Sequence, residues 1–341
     1  MSEFLFSYGL FIAKVVTGLI ALVFAVAIIG SGRKKEEGAS LKVTNLNSKF
    51  DELTSSVKES LLDKKQLKQQ QKDKAKQAKK EKKTKLKETP KPKLFVLNFD
   101  GDIRASEVES LREEITALLS VAEPQDEVLL RLDNSGGMVH EHGLAASQLQ
   151  RIKDARLNFT VSIDRVAASG GYMMACVADK IVAAPFAIIG SIGVVAQLPN
   201  FNRLLDKAGI DFEQHTAGEF KRTVTMFGKN SEKERDKLKE ELQETHDLFR
   251  DFVSEHRPKL DVAKVSTGEH WYGKQALGLN LVDELKTSDE YLVNSLELYD
   301  IYELKMEVKQ SLQDKLFGGL FSSIDRLKSG LSDAETSSHY R

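Results

Sequence analysis

Cysteine is almost absent from this chain, since Cys176 is the only one in 341 residues. An intrachain disulfide is therefore excluded, and cysteine usage does not indicate the redox compartment. Cys176 lies in an apolar run, where a lone thiol is more often a small core residue than a nucleophile. The sequence also contains no internal repeat, and we predict neither a metal nor a cofactor.

An excess of charge of one sign is also missing. The 50 Lys and Arg residues balance the 51 Asp and Glu residues, which leaves a net charge of -1. Because proteins bind nucleic acid mainly through basic surface, this composition gives no support for a nucleic-acid partner. The balance conceals one basic stretch between Lys64 and Lys93, which contains fourteen lysines and three acidic residues.

The N-terminus is rich in apolar residues. The 26 residues from Phe4 to Ile29 would form a helix of roughly 39 Å, which exceeds a bilayer core of about 30 Å. Residues 1–32 are therefore predicted to be a single transmembrane anchor in contact with lipid. The alternative is a cleaved signal peptide ending at Ala25-Val26-Ala27. We prefer the anchor because the apolar stretch begins well before Lys14.

The segment after the anchor is charged. Arg33-Lys34-Lys35 follow the apolar stretch directly, so the positive-inside rule places the body of the protein in the cytoplasm. Residues 33–92 are interpreted as a charged helical stalk, with a polybasic contact to anionic lipid as the alternative. Apolar residues at helical spacing predict an amphipathic or short coiled-coil helix in its first half: Leu46, Phe50, Leu53, Val57 and Leu61.

The main domain is predicted to begin after Pro92 and to cover residues 93–310, followed by an amphipathic helix and tail at 311–341. Strands and helices alternate in it, which indicates an α/β fold with parallel strands and crossover helices. The predicted strands are Leu94 to Phe99, Val128 to Leu132 and Phe159 to Ile163. Two helix starts have capping-box spacing, at Ser106 with Glu109 and at Ser231 with Glu234.

A lone serine, Ser169, stands between small residues after the third strand and is followed by Gly170-Gly171. A Ser-Gly-Gly tripeptide is most often only a turn. A helix that begins here would nevertheless direct its free amides at an oxyanion beside the serine. The pair Gly136-Gly137 follows the neighbouring strand. Ligands meet parallel sheets at the carboxyl ends of strands, so we expect both segments at one rim.

A nucleophilic serine needs a base and an oxyanion hole. No histidine is a compelling base, and His140 and His142 are interpreted as residues that decorate a helix start. Lys221 is the better candidate, although a lysine is usually a surface residue. A free lysine amine is protonated at neutral pH, so a lysine base requires burial among apolar neighbours such as Phe220 and Phe227.

Four motifs occur in one order: the turn ending in Gly136-Gly137, Ala168-Ser169-Gly170-Gly171-Tyr172, Gly190-Ser191-Ile192-Gly193-Val194, and Gly218-Glu219-Phe220-Lys221. Together they resemble the signal peptide peptidase A family of serine–lysine peptidases, peptidase family S49. The resemblance implies a spiral of ββα units like that of Clp protease and crotonase. It departs from the family pattern at Asn134-Ser135, where Ser-Pro is usual, and at Asn280, where glycine is favoured.

The resemblance also implies roles for individual residues. Ser169 matches the nucleophile, Lys221 the general base, and Ser191 a serine that hydrogen-bonds the lysine amine. Gly170 and the pair Gly136 and Gly137 match the oxyanion donors. The family assembles with active sites at subunit contacts, so a homo-oligomer that shares its dyad between subunits is expected.

The sequence therefore predicts a membrane-anchored serine endopeptidase with a Ser/Lys dyad. Its expected partners are apolar peptides or unfolded proteins, such as signal-peptide remnants or membrane-protein fragments. Its expected location is the bacterial inner membrane. The positive-inside rule favours a catalytic domain on the cytoplasmic side, whereas the location of better-known family members favours the periplasmic side. One alternative is a non-catalytic, membrane-attached scaffold of the same fold that binds peptides. Another is an acyl-CoA enzyme of the crotonase type, which would not require Ser169 and Lys221 together.

Overall fold

The computed structural model describes residues 6–12, 14–15, 17–18, 40–61 and 91–307. The described residues between 41 and 306 form one compact unit, and those outside this range belong to a second unit. The described residues of the predicted anchor are helical, and no helix in the described part of the chain is long and apolar enough to cross a membrane. Most of the predicted anchor, the lysine-rich stretch at 62–90 and the predicted C-terminal helix at 311–341 lie outside the described residues.

The fold is a mixed α/β sheet with helices, as the alternation of the sequence predicted. The strands of its described part are β1 Ser40–Asn45, β2 Lys93–Gly101, β3 Glu127–Asn134, β4 Asn158–Ala168, β5 Lys180–Ala183, β6 Ile188–Gly190, β7 His270–Tyr272, β8 Glu284–Leu285 and β9 Asp300–Glu307. The helices are α1 Leu46–Leu61, α2 Val108–Leu119, α3 Val139–Asp154, α4 Gly170–Ala175, α5 Asn202–Lys207, α6 Glu232–His256, α7 Val262–Val265, α8 Gly273–Gly278 and α9 Ser288–Ser295.

The strand order is β1-β9-β2-β3-β4-β5-β8, and β6 pairs with both β4 and β7. The pairs β9-β2, β2-β3, β3-β4, β4-β5, β4-β6 and β5-β8 are parallel, whereas β6 and β7 are antiparallel. The three predicted strands are confirmed as β2, β3 and β4. Because these central strands run in one direction, their carboxyl ends form a common rim.

The two faces of the sheet are covered differently, because successive side chains of a strand point to opposite faces. The larger buried cluster contains apolar residues of β2, β3 and β4 together with the buried sides of α2, α3 and α4. A smaller cluster on other strand positions joins α1 and α9 to the sheet: Leu46, Leu94, Val96, Leu129, Leu292 and Ile301.

Residues 41–61, which the sequence predicts to be part of the stalk, belong to the compact unit of residues 41–306. β1 lies next to β9 in the sheet, and Leu46 at the start of α1 is buried in the smaller cluster. The predicted helix is confirmed, but its apolar stripe is covered only near its beginning. Leu53, Val57 and Leu61 are more than half exposed.

One predicted helix cap is confirmed and the other is wrong. The Ser231 hydroxyl and the Glu234 side chain form the predicted capping box at the start of α6. Ser106 instead donates its hydroxyl proton to Asp102 at 2.8 Å, and α2 begins later, at Val108. A nearby carboxylate therefore competes successfully with the helix amides for the Ser106 side chain.

Candidate active site

Ser169 lies at the junction between β4 and α4, with φ 51° and ψ −120°. A positive φ is unfavourable for a residue with a Cβ, and such strained residues cluster at functional sites. The Ser169 amide donates to the Gly190 carbonyl at 2.7 Å, and its own carbonyl accepts from the Met173 amide at 3.0 Å. These two bonds hold the serine in its unusual conformation at the rim of the sheet.

The Gly136-Gly137 turn lies against this serine. A Cβ on Gly136 would stand 2.7 Å from the Ser169 Cβ and 2.8 Å from the Gly170 nitrogen, and Gly136 itself has φ +88°. A Cβ on Gly137 would stand 2.1 Å from the Ile103 carbonyl oxygen. The two segments therefore meet at one rim, as their positions after adjacent strands predicted, and only glycine fits both positions of the turn.

The three predicted oxyanion donors differ in whether their amide N–H already has an acceptor. The Gly136 N–H donates to the Asn134 side-chain oxygen at 2.6 Å. The amides of Gly137 and Gly170 have no acceptor in the part of the chain that the structure describes. Gly170 is the first residue of α4, where helix amides lack partners within the helix. The amides of Gly137 and Gly170 can thus receive an oxyanion, whereas the Gly136 amide is already bonded to the Asn134 side chain.

Behind this turn lies a buried pair that the sequence analysis did not identify, Asn134 and His142, both fully inaccessible to solvent. The His142 Nδ1 lies 2.9 Å from the Met138 carbonyl oxygen and Nε2 lies 3.1 Å from the Asn134 side-chain nitrogen. Nε2 also lies 3.2 Å from the Asn134 side-chain oxygen. Because the Met138 carbonyl can only accept whereas the Asn134 amide can donate, the network assigns His142 a proton on Nδ1 and a lone pair on Nε2. Asn134 then donates to His142 and accepts from Gly136.

The His142 ring also fills the space beneath Gly170, because a Cβ on Gly170 would stand 2.4 Å from the His142 Cγ. The expectation that His142 merely decorates a helix start is therefore wrong. The signal for its burial was present in the sequence. His142 precedes the buried Ala145, Ala146 and Leu149 by helical intervals and shares their side of α3.

A small cavity opens beside Ser169. Its side-chain lining is mainly apolar and comes from α3, α4, α6 and the loop after β6: Val139, Met173, Val194, Thr245 and Phe249. The remaining lining is glycine backbone and Ser169 itself. Its volume is about 10 Å³, which is space for about one water molecule, so the serine hydroxyl lies beside a small and mainly apolar depression.

Ser191 stands close to the same junction. It follows β6, whose last residue Gly190 accepts the Ser169 amide, and it has φ 52°. Its amide donates to the Glu269 carbonyl at 2.7 Å. The structure therefore connects the segments of Ser169 and Ser191 directly through backbone hydrogen bonds.

Lys221 is not brought to this site within the chain. Its side chain is exposed, and it is not among the residues that line the cavity beside Ser169. The preceding residues are attached to the first turns of α6, because Glu219 pairs with Lys233 and the Phe220 ring lies 5.6 Å from the Nζ atoms of Lys233 and Lys237. The expected burial of Lys221 among apolar neighbours is absent from the described single chain.

The length of α6 shows how far Lys221 lies from Ser169. Lys233 and Lys237 hold the Lys221 segment, whereas Thr245 and Phe249 of the same helix line the cavity beside Ser169. Twelve residues separate these pairs, which corresponds to about 18 Å along the helix axis. A lysine side chain does not bridge such a distance.

Comparison with protein families matches residues 3–149 to the model "Peptidase family S49 N-terminal" and residues 151–300 to "Peptidase family S49". A "Probable protease SohB" of Haemophilus influenzae is 49% identical over 92% of each chain. A protein with the same name from Buchnera aphidicola is 48% identical over 91% of this chain and 92% of its own length.

A more distant relative is a "Putative signal peptide peptidase SppA" of Enterococcus faecium, 27% identical over 82% of this chain and 77% of its own. Among solved structures, a membrane-bound stomatin-specific protease aligns with a TM-score of 0.40 and 13% identity over 60% of this chain and 85% of that chain. This structural overlap is too slight to carry an argument.

Proposed function

Since the chain belongs to peptidase family S49, we propose that it is a serine endopeptidase with Ser169 as nucleophile and Lys221 as general base. The observation that carries the proposal is the strained backbone of Ser169 between β4 and α4. The amides of Gly137 and Gly170 lie beside it without acceptors in the described residues. This arrangement provides a nucleophile and two oxyanion donors at one point.

In the proposed reaction, the Ser169 Oγ attacks the carbonyl carbon of a substrate peptide bond, and its proton passes to the neutral amine of Lys221. The negative charge on the carbonyl oxygen is stabilised by the amides of Gly137 and Gly170, and one such donor is worth about 10²- to 10³-fold in rate. The lysine then gives the proton to the leaving amine. Water then attacks the acyl carbon and gives its proton to Lys221. The bond between the acyl carbon and the Ser169 Oγ breaks, and Lys221 returns the proton to Oγ.

Lys221 is proposed to come from a neighbouring subunit, because about 18 Å of α6 separates its segment from the cavity beside Ser169. The loop between β6 and α6 supports this assembly, since it exposes many large apolar side chains: Val195, Leu198, Phe201, Leu204, Ile210, Phe212, Phe220 and Phe227. Exposed apolar surface of this extent is typical of protein contacts. A neighbour would also bury Lys221, which disfavours a charged amine. Ser191 would then hydrogen-bond the arriving amine.

The proposed substrates are apolar peptides, such as signal-peptide remnants or membrane-protein fragments, because the cavity beside Ser169 has a mainly apolar lining. Residues 1–32 are proposed to anchor the enzyme as a single span in the bacterial inner membrane. The charge pattern favours a cytoplasmic domain. We further propose that the sheet belongs to the Clp protease and crotonase type of spiral.

A serine-reactive fluorophosphonate probe tests this function on the full-length chain. The wild type should be labelled and should cleave an apolar peptide, Ser169→Ala should lose both properties, and Lys221→Ala should lose at least 10³-fold in hydrolysis, on the order expected for a lost general base. Equal labelling of the wild type and Ser169→Ala would exclude Ser169 as the nucleophile. Substantial hydrolysis by Lys221→Ala would exclude the lysine.

A further inference from the structure

A second cavity, of about 240 Å³, opens at the carboxyl ends of β2, β3 and β4, and neither Ser169 nor its glycines line it. It lies on the face of the sheet opposite the larger apolar cluster, since its polar residues alternate along the strands with residues of that cluster. The lining includes seven polar side chains on these strands: Asn98, Asp100, Arg131, Asp133, Ser162, Asp164 and Arg165.

The strand register arranges these side chains in two rows. Arg131 is the partner of Asn98 on one side and of Ser162 on the other. Two residues further along, Asp100 is the partner of Asp133. Neighbouring strands are about 4.8 Å apart, so a row of acidic groups stands directly above a row of an amide, a guanidinium and a hydroxyl.

Four of these seven groups already have partners. The Asn98 side chain donates to Glu303 at 3.0 Å, and Asp133 forms an ion pair with Arg165. Asp164 accepts from the Ser288 amide at 2.8 Å. These contacts fix the side chains that form the walls of the cavity. The other polar groups of the lining are not held by them.

Three groups have no partner among the described residues: the Asp100 carboxylate, the Arg131 guanidinium and the Ser162 hydroxyl. Ser162 is only 1% exposed, and its Oγ is buried and lacks any hydrogen bond. A buried hydroxyl without a partner is costly and rare in folded proteins. The cavity thus presents one unmatched anion, one unmatched cation and one unmatched hydroxyl.

We propose that this cavity binds a small zwitterion, an amino acid or a dipeptide with free ends. Its α-carboxylate pairs with the Arg131 guanidinium, whose planar fork suits a carboxylate, and its α-ammonium pairs with Asp100. The Ser162 hydroxyl completes the contacts. The volume is below the 300 Å³ at which drug-sized pockets begin, which limits the ligand to a compact molecule. This site does not depend on the peptidase function proposed above.

Isothermal titration calorimetry tests the proposal on the full-length chain carrying Ser169→Ala, so that no probe is hydrolysed. The probes are L-alanine, L-alanyl-L-alanine, its N-acetyl derivative and its C-terminal amide. We expect at least one of the two free zwitterions to bind. The one that binds shows whether the site takes an amino acid or a dipeptide. Each blocked dipeptide should bind at least tenfold more weakly than the free dipeptide if the dipeptide is the ligand.

Two substitutions assign the ends of the ligand. Arg131→Gln should make the free dipeptide and its amide bind equally weakly, and Asp100→Asn should do the same for the free and acetylated forms. Arg112→Gln is the matched control, because this exposed arginine pairs with Glu109 on α2, does not line the cavity and should leave the affinity unchanged. Ser162→Ala should raise the melting temperature of the free protein and weaken binding.

The proposal is overturned if neither free zwitterion binds at millimolar concentration. It is also overturned if binding survives both Arg131→Gln and Asp100→Asn, because the ligand would then lie elsewhere on the protein. If L-alanine is the only one of the two that binds, Arg131→Gln and Asp100→Asn must each abolish its binding heat. In that case, D,L-N-acetylalanine and alaninamide serve as the blocked probes in place of the blocked dipeptides.

Discussion

Ser169 illustrates how a single residue depends on the absence of side chains around it. Its positive φ is maintained by the Gly190 carbonyl and by the first turn of α4, and a Cβ added at Gly136 would stand 2.7 Å from its own Cβ. A side chain at position 136 would meet backbone atoms that cannot move aside without disturbing the serine. The glycines are therefore required by packing as well as by backbone conformation.

Gly136→Ala should lower kcat by about 100-fold or more, because the new methyl group pushes against Ser169 and the Gly170 amide that is proposed to bind the oxyanion. Gly143→Ala is the matched control. Apart from its chain neighbours and the nearby backbone of α3, nothing lies within 4 Å of the methyl group that this change would add, so the variant should keep full activity and gain some stability. Steady-state kinetics and thermal unfolding measure both variants. A fully active Gly136→Ala would show that the turn tolerates a side chain.

His142 is expected to act as a positioning residue for the same amides, through Asn134. His142→Leu removes the acceptor that orients the Asn134 side chain, and kcat should fall by about tenfold or more with little change in KM. His142→Gln offers an acceptor oxygen near the place of Nε2 and should recover most of the loss. If glutamine and leucine are equally damaging, the ring serves only as filling beneath Gly170.

Glu114 provides the clearest dependence on pH. This buried carboxylate on α2 accepts from the Met306 amide at 2.7 Å, and burial raises its pKa to about 7. The same group ionises near 4.5 in an unfolded chain, so the folded state holds more protons between these values. Stability should therefore fall as the pH rises from about 4.5 through 7.

Glu114→Gln stays neutral and keeps an acceptor for Met306, so it should be more stable than the wild type at pH 8 by a few degrees in Tm, and the advantage should shrink toward pH 5. The exposed neighbour Glu113 supplies the control, because Glu113→Gln should leave the pH dependence unchanged. Thermal unfolding at both pH values measures the effect. A wild type that is equally stable at both would contradict it.

At the scale of elements, α1 and β1 show where the folded unit begins. Asn47, at the start of α1, accepts from the Ile301 amide at 2.7 Å and donates to the carbonyls of Leu296 and Tyr299. These bonds connect the segment before the lysine-rich stretch to β9 and to the loop in front of it. The lysine-rich stretch therefore interrupts the unit rather than preceding it.

Asn47→Ala should destabilise the protein by about 1 to 3 kcal/mol, because the Ile301 amide and two carbonyls lose their partner. Ser56→Ala, on the exposed side of the same helix, should change the free energy of unfolding by less than about 0.5 kcal/mol. Denaturant unfolding of the full-length chain gives both values. Equal stabilities for the two variants would show that α1 contributes little to the unit.

The sequence predicts those elements whose pattern is local. The central strands are rich in apolar residues, and the Ser231 cap depends only on Glu234 three residues later, so both predictions are confirmed. Ser106 has the same spacing, but Asp102 competes for its hydroxyl, and no spacing rule includes that contact. The start of the unit was placed too late because β1 pairs with a strand from the other end of the chain.

The same distinction between local patterns and contacts of distant segments applies to the candidate site. Ser169 and the Gly136-Gly137 turn follow adjacent parallel strands, so their meeting follows from topology. The buried Asn134 and His142 pair depends on packing between β3, α3 and α4, which the sequence shows only as helical spacing. The place of Lys221 is set by contacts with α6, which no local pattern contains.

At the scale of the whole molecule, the exposed loop between β6 and α6 leaves the proposed base on the outside of each chain. Its apolar side chains are those expected of a surface that a second copy covers. A heterologous contact of this kind repeats from copy to copy and closes into a ring when the rotation allows. Such a ring would also enclose a peptide and exclude water, which one short α/β domain cannot do alone.

Subunit exchange between two inactive variants tests this assembly. Ser169→Ala keeps Lys221, and Lys221→Ala keeps Ser169. If each site takes its serine from one subunit and its lysine from the next, random mixing in equal amounts leaves both residues intact in about a quarter of the sites, and activity should return to about a quarter of the wild-type value. A mixture of Ser169→Ala with the double variant Ser169→Ala/Lys221→Ala is the matched control and should remain inactive. Differently tagged subunits that purify together, yet show no activity, would establish that each chain completes its own dyad.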